Sequence, residues 1–156
     1  MSLDLVRLDD RLVHGQVVVG WGQALAVSLI VLVDDRVRSS DWEQELYRMG
    51  VPPDMELLFA SVDEAIAAVP DWTASSRKTL LLTGDVDSLV RLVEGAAIRR
   101  VNIGGVHQQA DRRQRLRYVY LSDSEAGQLK RLSACGVDVT AQDVPSAKPI
   151  PIADLT

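Results

Sequence analysis

The stretch Arg7-Leu8-Asp9-Asp10-Arg11-Leu12-Val13-His14-Gly15-Gln16-Val17 sets the reading of the whole chain. It lies between a short apolar segment, Leu3 to Val6, and the run Val17 to Ala26. Burying unpaired charge is costly, so a segment this rich in arginine and aspartate reads as a loop between a first strand and a first helix. In an α/β protein that loop falls on the ligand-binding edge of the sheet.

Working outward, strands and helices alternate. Leu3 to Arg7 reads as a strand and Gln16 to Ala26 as a helix weakened by Gly20 and Gly22. Ser28 to Val33 (SLIVLV) is a nearly continuous aliphatic run that stops at Asp34-Asp35, the pattern of a strand buried on both faces. Ser40-Asp41-Trp42-Glu43 reads as a capping box opening a helix to Met49, and Gly50 and Pro52-Pro53 stop it. Met55 to Ala60 is a strand. Ser61-Val62-Asp63-Glu64 is a second capping box, with its helix ending before Pro70 and a polar connection from Asp71 to Arg77. Thr79 to Leu82 and Arg100 to Ile103 read as strands on either side of a helix, Asp87 to Glu94, closed by Gly95. Val106 to Arg115 reads as irregular and Leu116 to Leu121 as a sixth strand. Ser122-Asp123-Ser124-Glu125 is a third capping box, its helix running to Cys135 and Gly136, before a seventh strand, Val137 to Ala141. The tail Pro145 to Thr156 reads as extended. The expected fold is a single α/β domain over 1–156, a mostly parallel sheet of about seven strands with helices on both faces.

Composition narrows the function. A net charge of −5 argues against general nucleic-acid binding. The single Cys135 excludes an intrachain disulfide and fits a reducing compartment. The charged N-terminus is no signal peptide, and no apolar run approaches the roughly 20 residues of a membrane span. The expected location is cytoplasmic, with any membrane association made through partner proteins.

The chemistry of the first loop leaves several roles open. His14 can be a general base, a metal ligand or a nucleophile. Gly15 lets backbone approach a ligand, and amides at the start of the following helix favour an anion. Arg7 and Arg11 offer forked donors matching phosphate oxygens. Asp9 or Asp10 can hold an arginine or fix the histidine tautomer. This is a plausible build for a histidine that accepts a phosphoryl group. The same residues also fit surface ion pairs around an ordinary exposed histidine.

The loop closely resembles the active-site loop of enzyme IIB components of the mannose/fructose/sorbose class of the sugar phosphotransferase system. That pattern is met at every position from Arg7 to Val17. The resemblance extends to Trp21, Ile30 to Asp35 with Val37, Val101-Asn102-Ile103-Gly104-Gly105, Gly136 to Gln142, and Val144-Pro145. It implies that His14 takes a phosphoryl group, at Nδ1, from a IIA domain and gives it to a sugar carried by the membrane components IIC and IID. It implies a phosphohistidine–sugar phosphotransferase without cofactor or metal. Arg7, Arg11, Asp9 and Asp10 would serve the chemistry, with Gly15 and Gln16 holding phosphate. A rival reading is a regulatory module that accepts phosphate and signals through protein contacts. A weaker one is a small-molecule binding domain whose histidine is not phosphorylated. The sugar and any homo-oligomeric state are left open.

Other candidates share the predicted edge of the sheet. Asp34, Asp35, Gly84, Gly104, Gly105 and His107 form its expected rim. His107 has no His-x-x-x-His partner, so a metal site with His14 is not expected. Asp34 and Asp35 are expected to cap a helix or tether an arginine of the first loop. Arg112, Arg113, Arg115 and Arg117 are basic in an acidic chain. They read either as a solvated loop or, for Arg112, Arg113 and Arg115, as a docking patch for an acidic partner such as a IIA domain. Trp21, Trp42 and Cys135 read as packing residues, and Trp72 as partly exposed.

Overall fold

The computed structural model describes residues 3–155. Strands β1 (Leu3–Leu8), β2 (Leu29–Val33), β3 (Glu56–Ala60), β4 (Thr79–Thr83), β5 (Arg100–Ile103), β8 (Asp138–Ala141) and β9 (Ile150–Pro151) form one seven-stranded sheet in the order β3-β2-β4-β1-β5-β8-β9. All neighbours are parallel except β9, which runs antiparallel to β8. β6 (Arg113–Leu116) and β7 (Val119–Leu121) form a separate antiparallel hairpin.

Strand periodicity divides the core in two. In β2, Leu29, Val31 and Val33 pack into one cluster, while Ile30 and Leu32 pack into the other. The first cluster is completed by α3 (Val62–Ala74), α4 (Val86–Ala96) and α5 (Asp123–Ala134). The second takes Val17 and Val18 from a π-helix, Gln16–Gly22, and Val37 from α1 (Asp35–Arg38). Tyr47 of α2 (Asp41–Arg48) packs on its margin. Side chains alternate across a strand, so an aliphatic run such as β2 satisfies both faces.

The mostly parallel sheet matches the expected class, and the differences are local. Leu116 to Leu121 is not a sixth strand of the sheet: the chain turns at Arg117-Tyr118 and pairs with Arg113–Leu116. The charged alternation Arg-Gln-Arg-Leu suits a half-exposed ribbon better than a doubly covered strand. The seventh strand comes instead from the tail, which is not simply extended. β9 pairs with β8, and a 3₁₀ turn, Ile152–Leu155, buries Ile152 and Leu155 against the core. α3 continues through Pro70 to Ala74, covering the first part of the expected polar connection. Gly95 lies inside α4, where Ile66 occupies the space its Cβ would need. That helix closes at Ala97, in a left-handed conformation with φ 54°.

The Ser61 and Ser122 capping boxes close in both directions. The Ser40 box does not: its hydroxyl makes no cap bond, and Glu43 pairs with Arg36 instead. Trp42 is 67% exposed and Cys135 is exposed, so neither is a core residue, whereas Trp21 is buried.

This topology places the site. From β1 the chain leaves toward β2, and from β5 it leaves toward β8, on opposite sides. The crevice between β1 and β5 is therefore a switch point at the strand C-termini. The Ile152 contact has a measurable consequence. Ile152→Ala should lower unfolding stability by about 2–5 kcal/mol in a urea melt, as for other buried aliphatic truncations. A loss under about 1 kcal/mol would show that the tail is not part of the cooperative core.

Candidate functional site

Two neighbouring loops pin the start of the His14 loop. Asp9 N–H donates to the Thr83 carbonyl, Asp10 N–H to the Gly105 carbonyl, and Gly104 N–H to the Leu8 carbonyl. The chain then turns at Leu12, a non-glycine residue at φ 61°. That left-handed conformation is strained for leucine and persists where surroundings over-determine it. Here Leu12 is buried over Gly84, where a Cβ would lie 2.6 Å from Leu12 Cδ2.

Asp9 is the centre of the site. It is fully buried and meets three side chains. Arg11 forks onto it, Nε to Oδ1 at 3.0 Å and Nη2 to Oδ2 at 2.9 Å. Arg7 Nη2 reaches Oδ2 at 3.4 Å, and His14 Nε2 lies 3.5 Å from the same oxygen. Burial pushes the Asp9 carboxyl up, but the nearby His14 ring, the hydrogen bonds from Arg11 and the charge of Arg7 outweigh it. The group is held well below the usual carboxylate range.

Arg7 lies in β1, within the strand read from the sequence, and it is fully buried. Nη1 donates to the Asn102 side chain and to the Gln142 carbonyl, and Nη2 also donates to the Asp143 carbonyl. Its guanidinium lies 4.6 Å from the centroid of Trp21. A Cβ at Gly104 would overlap it, so glycine is required there. Burial pushes the Arg7 guanidinium down to about 10, against the opposing charge of Asp9. Arg7 thus braces Asp9 from below, and the expectation that it faces an incoming phosphoryl group is corrected.

Arg11 is the outward arginine. Nη1 donates to Gln16 Oε1 at 2.8 Å, and the guanidinium lies flat above Gly105. The Asp9 hydrogen bond raises its pKa further. His14 is partly exposed, and its Nδ1 accepts the Gln16 N–H at 3.2 Å. That bond assigns the proton of a neutral ring to Nε2, facing Asp9, and leaves the lone pair on Nδ1. Gly15 is open, with nothing near its absent Cβ. The wide turns of the π-helix begin here, a form frequent at functional sites.

Other expected rim residues have different partners. Asp10 holds His107 through both carboxylate oxygens. Asp34 caps α1 through Val37 N–H, whereas Asp35 accepts from Val62 N–H and pairs with Arg91, not with the first loop. The basic cluster is paired within the chain. Arg112 forks onto Glu125, Arg113 and Arg115 both reach Asp123, and Arg117 reaches Asp143. Arg112 and Arg115 have side chains only 8% and 10% exposed, whereas Arg113 is 69% exposed.

Three site residues were given no site role from the sequence: Asn102 and Gln142, which counted only toward the resemblance, and Asp143. Gln142 bridges Asn102 to the Pro145 and Ala147 carbonyls, and the Asp143 carbonyl also accepts from Trp21 Nε1. Their signal was present as polar residues at the ends of β5 and β8, the strands beyond β1 at this edge.

Fold and site together define a parallel α/β domain with a carboxylate-held histidine at its switch point. Comparison with known proteins gives the family. The model of the PTS system sorbose subfamily IIB component matches residues 3–156, and the chain belongs to that family. It is thus a transferase component of sugar uptake by the phosphotransferase system. The chain is 33% identical over 145 residues to the N-acetylgalactosamine-specific phosphotransferase enzyme IIB component 1 of Escherichia coli, covering 90% of each. It is 28% identical to the sorbose-specific EIIB component of Klebsiella pneumoniae, covering 99% of this chain and 94% of the other. The crystal structure of the E. coli N-acetylgalactosamine-specific IIB component 1 superposes with TM-score 0.87 at 30% identity, over 96% of this chain and 98% of that one.

The arrangement fixes a pH dependence. Asp9 has a folded pKa below its unfolded value of about 3.9, so its stabilisation is present above that pH and is lost as pH falls below it. Asp9→Asn leaves Arg7 buried without its charge partner and should cost about 3–5 kcal/mol at pH 7. It should also flatten the stability profile between pH 5 and 3. Urea melts across that range test both, and a parent profile no steeper than the variant's would remove Asp9 from its central place.

Proposed function

We propose that this chain is a phosphocarrier in which His14 accepts a phosphoryl group from a IIA domain and passes it to a sugar handled by membrane IIC and IID components. The observation that carries this is the orientation of His14: Nε2 lies beside a buried carboxylate, while Nδ1 is unprotonated and accepts the Gln16 N–H. In the reaction the Gln16 N–H leaves Nδ1 for a phosphoryl oxygen, the freed Nδ1 pair attacks phosphorus on the donor's phosphohistidine, the donor P–N bond breaks, and its electron pair returns to the donor ring. Positioning and electrostatics lower the barrier. Arg11 keeps one N–H on each Nη beyond its bonds to Asp9 and Gln16, and these meet the equatorial oxygens. Gly15 and the Gln16 amide supply the neutral donors. Arg7 acts through Asp9 as a positioning residue.

The IIA donor is supported by a relative named as joining both parts. The mannose-specific EIIAB component of E. coli is 28% identical over 156 residues, and this chain spans 48% of its length. Among the described residues no helix is long and apolar enough to cross a membrane, which fits delivery to membrane partners by contact.

His14→Ala should abolish incorporation of labelled phosphate from phosphoenolpyruvate and the upstream carriers, with circular dichroism unchanged. Label retained in that variant would move the acceptor elsewhere. Arg11→Lys keeps the charge but loses the planar fork. It should slow single-turnover transfer from phospho-IIA by roughly 30- to 1,000-fold, the scale of about 2–4 kcal/mol for one oxyanion donor. Transfer at nearly the parent rate would take Arg11 out of the reaction.

A further inference from the structure

We propose that Asp10 and His107 form a second dyad at this edge, in which His107 Nε2 takes the proton of the hydroxyl that attacks the phosphoryl group on His14. The proposal rests on the phosphocarrier reading above. His107 is 68% exposed, yet its ring is fixed. Asp10 Oδ1 lies 2.5 Å from Nδ1, and Asp10 Oδ2 accepts the His107 backbone N–H at 2.7 Å. The His107 carbonyl accepts from Arg112 Nη1 at 2.8 Å, and Arg112 is itself forked onto Glu125. A carboxylate on Nδ1 draws the ring proton there and leaves the lone pair on Nε2. The two histidines thus expose opposite nitrogens: His14 is held through Nε2, His107 through Nδ1.

Their placement converges on one guanidinium. Arg11 bonds to Asp9 and Gln16, the two partners of His14. Gly105, two residues before His107, lies against the same guanidinium, where a Cβ would come within 3.1 Å of Arg11 Nε. The loop that carries His107 therefore packs on the arginine that meets the phosphoryl oxygens.

The step balances as follows. The hydroxyl oxygen attacks phosphorus, and the P–N bond of phospho-His14 breaks. Its electron pair returns to the His14 ring, and the hydroxyl proton moves to His107 Nε2. Asp10 stabilises the imidazolium, which then releases the proton to solvent. The charged groups around His107 are Asp10 from the loop after β1, Arg112 through the carbonyl, and Glu125 from α5 behind Arg112. A positioned base of this kind contributes roughly 10²–10⁴ in rate.

The test uses phosphoramidate as the phosphoryl donor, so that no partner protein is needed, and glycerol as the hydroxyl probe. His107→Asn keeps an N–H for Asp10 but has no basic nitrogen, and His107→Ala removes both. Label on His14 should be stoichiometric in all three proteins. Absence of label from the parent would overturn the phosphocarrier reading, and with it this one. Formation of glycerol phosphate, followed by ³¹P NMR, should fall roughly 100-fold in both variants. An Asn variant that forms glycerol phosphate at the parent rate, with His14 fully labelled, would overturn the base role while leaving the phosphocarrier reading intact.

Discussion

One carboxylate, Asp9, holds the site together. Moving two ions from water into a protein interior costs several kcal/mol each, and the attraction between them offsets this only when hydrogen bonds satisfy the remaining atoms. Asp9 meets that condition from three directions: Arg7 below, Arg11 above and His14 beside it. Arg7 meets it at both Nη atoms, through Asn102 and the Gln142 and Asp143 carbonyls, with Trp21 covering its face and only Nε left without a hydrogen bond. The ends of β1, β5 and β8 are therefore tied together by one buried polar network. Networks of this kind are favourable only when nearly complete, which explains the demand for glycine at 104, where any side chain would displace the Arg7 guanidinium.

That network also converts fold into reactivity. A histidine on a mobile loop would sample both tautomers and many orientations. Here the Gln16 amide holds Nδ1, and Nε2 lies 3.5 Å from Asp9 Oδ2. The ring is oriented before any partner arrives, and the ordering entropy is met by folding rather than at encounter. The strain at Leu12 belongs to the same arrangement, because the turn there brings His14 back over the end of β1.

Much of this was legible in the sequence, and the exceptions have physical causes. The doubly buried strand at Leu29–Val33 and the boxes at Ser61 and Ser122 rest on periodicity and local bonding, and the structure contains them as read. Charge in the first stretch was read as marking a loop, and the burial of Arg7 at the end of β1 was not foreseen. That rule holds for unpaired charge, and the partners of Arg7 lie 95 and 135 residues away along the chain. The pairing of the arginines after His107 was not foreseen for the same reason: Asp123 and Glu125, which pair with three of them, were credited only with opening a helix. The tail was judged by its prolines, although Ile150, Ile152 and Leu155 carry the apolar surface that docks it.

The doublet Asp9-Asp10 follows from strand geometry. Successive residues of an extended strand point to opposite sides, and residues two apart share a side. Arg7 and Asp9 are two apart, so a buried arginine at the one places its counter-ion at the other. Asp10 must then face the other way, toward the loop after β5, and its backbone bond to Gly105 holds it there. Two adjacent acids thus serve two surroundings. Asp9 is walled in by cations, whereas Asp10 reaches an exposed imidazole. Exchanging their environments would take a one-residue slip of β1. Such a slip would also turn Leu8 out of the core and Arg7 into it on the helix-covered face, so the hydrophobic alternation of the strand fixes the electrostatics of the site.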